Sequence, residues 1–197
     1  MKYNPDIHNR RSIRLKGYDY SQNGFYYITI CIKNRDHSFC TINNGEILIS
    51  QCGEIADSIW KTIPLQFNYI TLHEYIIMPN HIHGIIEIVH NPVGARFIAP
   101  DNETAPNHQG AINQGAINRT PTDTINNPMF RDNVARVVRW FKGRTTFECR
   151  KNQCALTWQR NYYEHIIRDE QSYHRIADYI VNNPASWDKD DLYTTED

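Results

Sequence analysis

One stretch of fifteen residues limits this chain more than any other: Tyr75-Ile-Ile-Met-Pro-Asn-His-Ile-His-Gly-Ile-Ile-Glu-Ile-Val89. It is apolar almost throughout, breaks once at Met78-Pro79-Asn80, and then plants two histidines one residue apart. Successive side chains on a strand point to opposite faces, so residues i and i+2 share one face. His81 and His83 therefore stand side by side on an otherwise apolar strand, within reach of a single metal ion. A His-x-His on a strand is also compatible with plain packing or surface chemistry, so the rest of the chain must decide.

A chain of 197 residues is long enough for one good core. The reading is a single domain over 1–197, with 91–128 as a flexible, low-complexity insertion. That stretch is rich in Asn, Gly, Pro and Thr and holds a tandem repeat, Gln109-Gly-Ala-Ile-Asn113 followed by Gln114-Gly-Ala-Ile-Asn118. Such a composition buries too little apolar surface to order itself. No apolar run approaches membrane-spanning length. The first residues lack the apolar core of a signal peptide, which points to the cytoplasm. The five cysteines form no CxxC pair and read as reduced thiols.

The net charge is −1, but it is unevenly spread. Between Arg131 and Lys151 seven basic residues face only Asp132 and Glu148, and Arg10, Arg11, Arg14 and Lys16 add to the N-terminal segment. The acids gather at the other end, among them Asp188, Asp190 and Asp191. Local basic patches suit a polyanion such as nucleic acid, and equally suit a solvated helix face.

The pattern predicts a central strand over Phe25–Ile32 and a hairpin, Phe39–Ile42 with Glu46–Ile49, about the Asn43-Asn-Gly45 turn. Ser50 is placed to cap a helix with Ile55, Ile59, Trp60 and Ile63 on one side. Two strands follow, near Ile70–Ile77 and Ile82–Val89. After the insertion, Val134, Val137, Val138 and Phe141 mark an amphipathic helix whose outward side carries Arg136 and Arg139. A short extended or mixed segment, Leu156–Arg168, precedes a final helix from about Asp169 that Pro184 ends. The order suits an α+β domain, an antiparallel sheet with helices packed on one face.

Two histidines on a strand need a third ligand and a reacting group from elsewhere. On the final helix Tyr179 and Asn183 are four apart and share a face. Asn183 offers a hard carbonyl oxygen, and a His, His, Asn-oxygen set with water suits Mg²⁺ or Mn²⁺, though imidazole also tolerates zinc. Tyr179 would be the nucleophile: a phenol with pKa near 10 is poor in water, and a metal polarising the attacked phosphate supplies the missing reactivity. The bland readings stand beside this. Tyr179 fits a core stripe with Ile176, and Asn183 before Pro184 fits a helix C-cap. Tyr162 and Tyr163 are rival nucleophiles, and His165 and His174 are rival ligands.

Three motifs carry a resemblance: Met78-Pro-Asn-His-Ile-His-Gly84 after an apolar strand, Trp158-Gln159, and Asp178-Tyr-Ile-Val-Asn-Asn-Pro184. Together, in this order, they resemble the single-tyrosine transposases of the HUH nuclease superfamily, in particular the REP-associated tyrosine transposases. The resemblance runs from about Phe25 to Trp187 apart from the insertion. It implies a ferredoxin-like fold with a central antiparallel sheet, and cleavage and joining of hairpin-containing single-stranded DNA through a 5′-phosphotyrosine. By motif match it makes His81 and His83 the histidine pair, Tyr179 the nucleophile and Asn183 a metal ligand. Many insertion-sequence relatives carry Gln where this chain has Asn183. Those relatives are dimers that exchange catalytic helices, whereas the REP-associated branch can act as a monomer, so a monomer and a homodimer both remain open.

For DNA contact the candidates are Arg136, Arg139 and Lys142, Arg14 and Lys16 of the N-terminal arm, and Arg160 beside the Trp-Gln motif. Aromatics such as Tyr18 or Trp140 could stack on unpaired bases. Three functions remain: a metal-dependent single-strand DNA nicking and joining enzyme acting through Tyr179, a non-catalytic binder of structured single strands, and a metal phosphodiesterase that uses water.

Overall fold

A computed structural model describes residues 18–43, 45–89 and 132–194. The 91–128 insertion and the arm with Arg14 and Lys16 lie outside the described residues. The described elements are β1 (Gly24–Cys31), β2 (Cys40–Asn43), β3 (Glu46–Ile49), α1 (Gln51–Lys61), α2 (Ile63–Gln66), β4 (Ile70–Ile77), β5 (His81–Ile88), α3 (Val134–Lys151), β6 (Tyr163–Ile167), α4 (Glu170–Asn182) and a 3₁₀ stretch, Asn183–Lys189. A four-stranded antiparallel sheet runs β4-β5-β1-β6, and β2 and β3 form a separate two-stranded sheet. With the small hairpin set aside, strand, helix, two strands, helix, strand gives the ferredoxin-like arrangement.

Local chemistry explains where the helices begin. Ser50, Asn133 and Asp169 are each extended, and each accepts the backbone N–H three residues on, satisfying a group the first turn leaves open. The segment before β6 is tied to β1: Trp158 bridges Ile32, and Gln159 N–H donates to the Cys31 carbonyl. The Trp-Gln motif thus continues the sheet.

Alternation along β1 and β5 sorts the side chains into two layers. Tyr26, Ile28, Ile30, Ile82, Ile86 and Ile88 join the main core with α1 and α3. Each fully buried isoleucine stabilises by roughly 1.5–3 kcal/mol. The opposite face carries Tyr27, Thr29, His81, His83 and Ile85, and α4 packs there through Ala177 and Ile180. The α+β class and antiparallel sheet are as the sequence implies. Packing on one face holds for α1 and α3, while α4 lies over the other face, because Tyr173, Ile176, Ala177 and Ile180 form a stripe that packs with Ile76, Ile85, Phe25, Tyr27 and Ile167, residues of all four strands.

β4 carries a bulge between Leu72 and Tyr75, where the pairing passes from Ile86 to Gly84. Two residues, His73 and Glu74, therefore stand opposite Ile85 alone. The Tyr173 hydroxyl donates to Glu74 Oε2 at 2.7 Å and lies 3.1 Å from His73 Nδ1, and His73 Nε2 is 3.0 Å from Glu87. The first turn of α4 is fastened to β4 at this point.

Gly84 faces the Trp60 indole, which stacks on Tyr75 with ring centroids 5.6 Å apart. A Cβ at Gly84 would come within 2.5 Å of Trp60 Cζ2 and 3.2 Å of Tyr75 Cβ. Gly84→Ala is expected to cost about 1–3 kcal/mol through overpacking, read as a fall in the urea midpoint with an unchanged slope.

Candidate active site

The register of β1 against β5 sets the site. Thr29 lies opposite His83 and Cys31 opposite His81, so the β1 side chains on this face form the floor beneath the imidazoles. His81 and His83 are both buried, and their Nε2 atoms face each other at 2.9 Å. Asn80 sets the tautomer of His81. Its amide nitrogen donates to the Leu192 carbonyl at 2.9 Å, so its oxygen is the atom 2.8 Å from His81 Nδ1. That oxygen can only accept; His81 must carry its proton on Nδ1, leaving a lone pair on Nε2. His83 Nδ1 is 2.7 Å from the Tyr27 hydroxyl and 2.8 Å from Thr29 Oγ1. If His83 donates from Nδ1 to one of these hydroxyls, two lone pairs converge and invite a cation.

Asp190 completes the group. The imidazole nitrogens and its carboxylate lie within 4.8 Å of one another, and this set could hold a metal ion. The donor set fits that role: each histidine is backed by a partner on its second nitrogen, as metal-binding histidines usually are. Burial weighs against ionising Asp190. Hydrogen bonds from Asn183 Nδ2 (2.8 Å), Leu192 N–H (2.7 Å) and the Tyr179 hydroxyl (2.9 Å) outweigh it and hold the carboxyl below its usual range. Burial also holds both histidines neutral: His83 is lowered to about 4, and His81 falls well below its ordinary value through burial and the adjoining His83.

Tyr179 is 45% exposed, and its hydroxyl reaches inward to Asp190 and to within 3.4 Å of His83 Nε2. Burial, followed by the hydrogen bond to Asp190, pushes its pKa well up, so at rest it is a neutral phenol. Asn183 is buried; its nitrogen serves Asp190, and its Oδ1 has no partner among the described residues. An orphaned oxygen of this kind is a further donor atom beside the cluster. His81, His83, Tyr179 and Asn183, from two distant parts of the chain, are thus brought together around Asp190.

The rival residues make other contacts, although Tyr163 and His165 share the sheet face with the histidine pair. The Tyr162 hydroxyl donates to Glu164, on the opposite face of β6, while Tyr163 approaches the Tyr27 ring at 6.3 Å. His165 is exposed on β6, and His174 is exposed beside Glu170. Of the basic candidates, Arg136 pairs with Asp132 and lies over the Phe67 ring, near the Ile70 end of β4, which pairs with Ile88 and not with the histidines. Arg139 and Arg160 are exposed. Lys142 is tied to the carbonyls of Gln159 (2.8 Å) and Asn161 (2.5 Å), and burial lowers its pKa to about 8.

Asp190, Asn80, Tyr27 and Thr29 did not emerge from the sequence as site residues. Asn80 and the strand phase of Tyr27 and Thr29 were visible signals. Asp190 was hidden in a run of C-terminal acids, with nothing in its spacing to single it out.

No protein-family model matches the chain. A Haemophilus influenzae protein described as uncharacterized is 41% identical over 193 residues, covering 98% of this chain and 97% of its own. The two chains belong to one family. A second H. influenzae protein, provisionally assigned as a REP-associated tyrosine transposase, is 23% identical over 178 residues, 85% of this chain and 73% of its own. Among solved structures, a REP-associated tyrosine transposase bound to a REP hairpin superposes with a TM-score of 0.54 at 15% identity, over 89% of this chain and 74% of that one. At that identity the likeness establishes a shared fold. Among the described residues no helix is long and apolar enough to cross a membrane.

Two outcomes follow from the geometry. Removing the Asn80 amide frees the His81 tautomer, so Asn80→Ala is expected to weaken Mn²⁺ binding about 10- to 100-fold, measured by calorimetry. A histidine with a lower pKa folded than unfolded binds protons better in the unfolded chain. In the metal-free protein the stability contributed by neutral His83 should therefore be fully present above about pH 6.5 and lost as pH falls towards about 4. The loss from His83 is on the order of 3 kcal/mol, seen as a falling urea midpoint, and His83→Asn should flatten it.

Proposed function

We propose that this chain is a metal-dependent enzyme that nicks and joins hairpin-containing single-stranded DNA through Tyr179. One observation carries the reading: the Tyr179 hydroxyl converges on His83 and on Asp190, beside the two facing imidazoles. A fold shared with a REP-associated tyrosine transposase, itself bound to a REP hairpin, supports DNA of that kind as the substrate class.

The chemistry follows from the residues. Tyr179 Oη attacks a backbone phosphorus; the new O–P bond replaces the P–O3′ bond, leaving a 5′-phosphotyrosine and an O3′ that takes up a proton from water to become the 3′-hydroxyl. Retaining the phosphoryl group on the enzyme conserves the bond for rejoining by the reverse attack. The raised pKa of Tyr179 means that it must lose its proton during attack, and Asp190, already accepting its hydrogen bond, is positioned to receive it. His81, His83 and Asp190, with the Asn183 oxygen beside them, are the residues that would hold Mg²⁺ or Mn²⁺. A bound ion would neutralise charge on the attacked phosphate. Arg136, Arg139 and Arg160, with Arg14 and Lys16, are the proposed phosphate contacts.

Incubation with a labelled hairpin oligonucleotide and Mn²⁺ should give a covalent protein–DNA adduct on a denaturing gel, lost in Tyr179→Phe. No adduct from the wild type, or an undiminished one from Tyr179→Phe, would sink the reading. Metal-dependent cleavage that survives Tyr179→Phe without an adduct would instead mark a water-using phosphodiesterase, and tight binding with no cleavage a non-catalytic binder.

A further inference from the structure

The stretch between Asn183 and Asp190 has a second side. There, with β2 and the turn before His81, it walls a cleft of about 850 Å³ lined by His37, Thr41, Asn43, Trp187, Asp188 and Tyr193, among others. Clefts of about 300–1,000 Å³ are the size that take small organic groups. The cleft and the candidate active site share their partition. Trp187 packs its ring 5.9 Å from that of His81, Asn80 holds the Leu192 carbonyl while orienting His81, and Tyr193 N–H donates to the Asp190 carbonyl.

The lining says what kind of group belongs there. Among the described residues no lysine or arginine lines it, so these residues do not form a phosphate site. It offers aromatic rings and hydrogen-bonding side chains instead: Tyr193 is 40% exposed and packs edge-on against Trp187 at 5.3 Å, and the His37 ring also lies edge-on to that indole at 5.9 Å. Rings for stacking, with amide, hydroxyl and carboxylate groups for base edges, are how proteins hold unpaired bases.

We propose that this cleft takes an unpaired base of the DNA strand next to the phosphodiester attacked by Tyr179, a proposal that rests on the function given above. The phosphate then stays at the histidines while its neighbouring base turns away behind Trp187. The cleft would select the strand position presented to Tyr179 without contributing to bond cleavage.

The test separates binding from chemistry by using the full chain carrying Tyr179→Phe. Fluorescence anisotropy measures the affinity for a short labelled single strand of mixed sequence, and for the same strand made wholly of abasic sites. Tyr193→Ala, which removes the ring, and Ala185→Trp, which fills the cleft from an exposed position on its wall, are each added in turn. Both should weaken binding of the base-bearing strand about 5- to 100-fold and leave the abasic strand unaffected. Wild-type affinity in both variants overturns the proposal, as does an equal loss for both strands. A missing covalent adduct with wild-type protein counts against Tyr179 chemistry, whereas unchanged affinities count against the cleft alone.

Discussion

The Asn80 side chain is the joint on which the site hangs. One end of its amide fixes the proton of His81 and the other grips the Leu192 carbonyl. A single planar group therefore sets the electronic state of a strand residue and anchors the C-terminal segment that delivers Asp190. Because an amide has fixed donor and acceptor ends, the two bonds support one another. With either partner displaced, the amide loses the reason for its orientation, and His81 loses its preferred tautomer.

Around that joint the charges are arranged against one another. Burial keeps two imidazoles neutral where water would leave each partly protonated, while three donors keep Asp190 ionised despite its burial. The site thus has lone pairs and one negative charge converging, with a neutral phenol at its mouth. This arrangement suits a cation and a reaction in which a proton leaves the phenol. It suits simple packing poorly, since apolar residues of similar size would avoid the desolvation of three polar groups.

Much of this was legible in the sequence because it rests on period and capping. Alternation gave the strands and put His81 and His83 on one face; Ser50 and the Val134 stripe marked two helices; the Asp178–Pro184 motif placed Tyr179 and Asn183. What escaped depends on the third dimension. Whether α4 covers the face with α1 or the opposite one turns on which side of β5 its apolar stripe meets, and single-strand patterns are silent on that. Asp190 enters through a 3₁₀ turn after Pro184, so its position depends on backbone direction and on the grip of Asn80. Lys142 looked like a free cation because sequence cannot see the two carbonyls of the Trp-Gln segment that it caps.

The bulge in β4 bears on how the molecule behaves among its own kind. β4 is an outer strand of the sheet, with backbone groups on its free side that could template pairing with another chain. Squeezing His73 and Glu74 into the space of one residue breaks the even hydrogen-bond spacing there, and places an imidazole and a carboxylate at the break. An approaching strand would find its ladder out of step after a few residues. The distortion that fastens α4 thus also makes this border of the sheet a poor template for another strand.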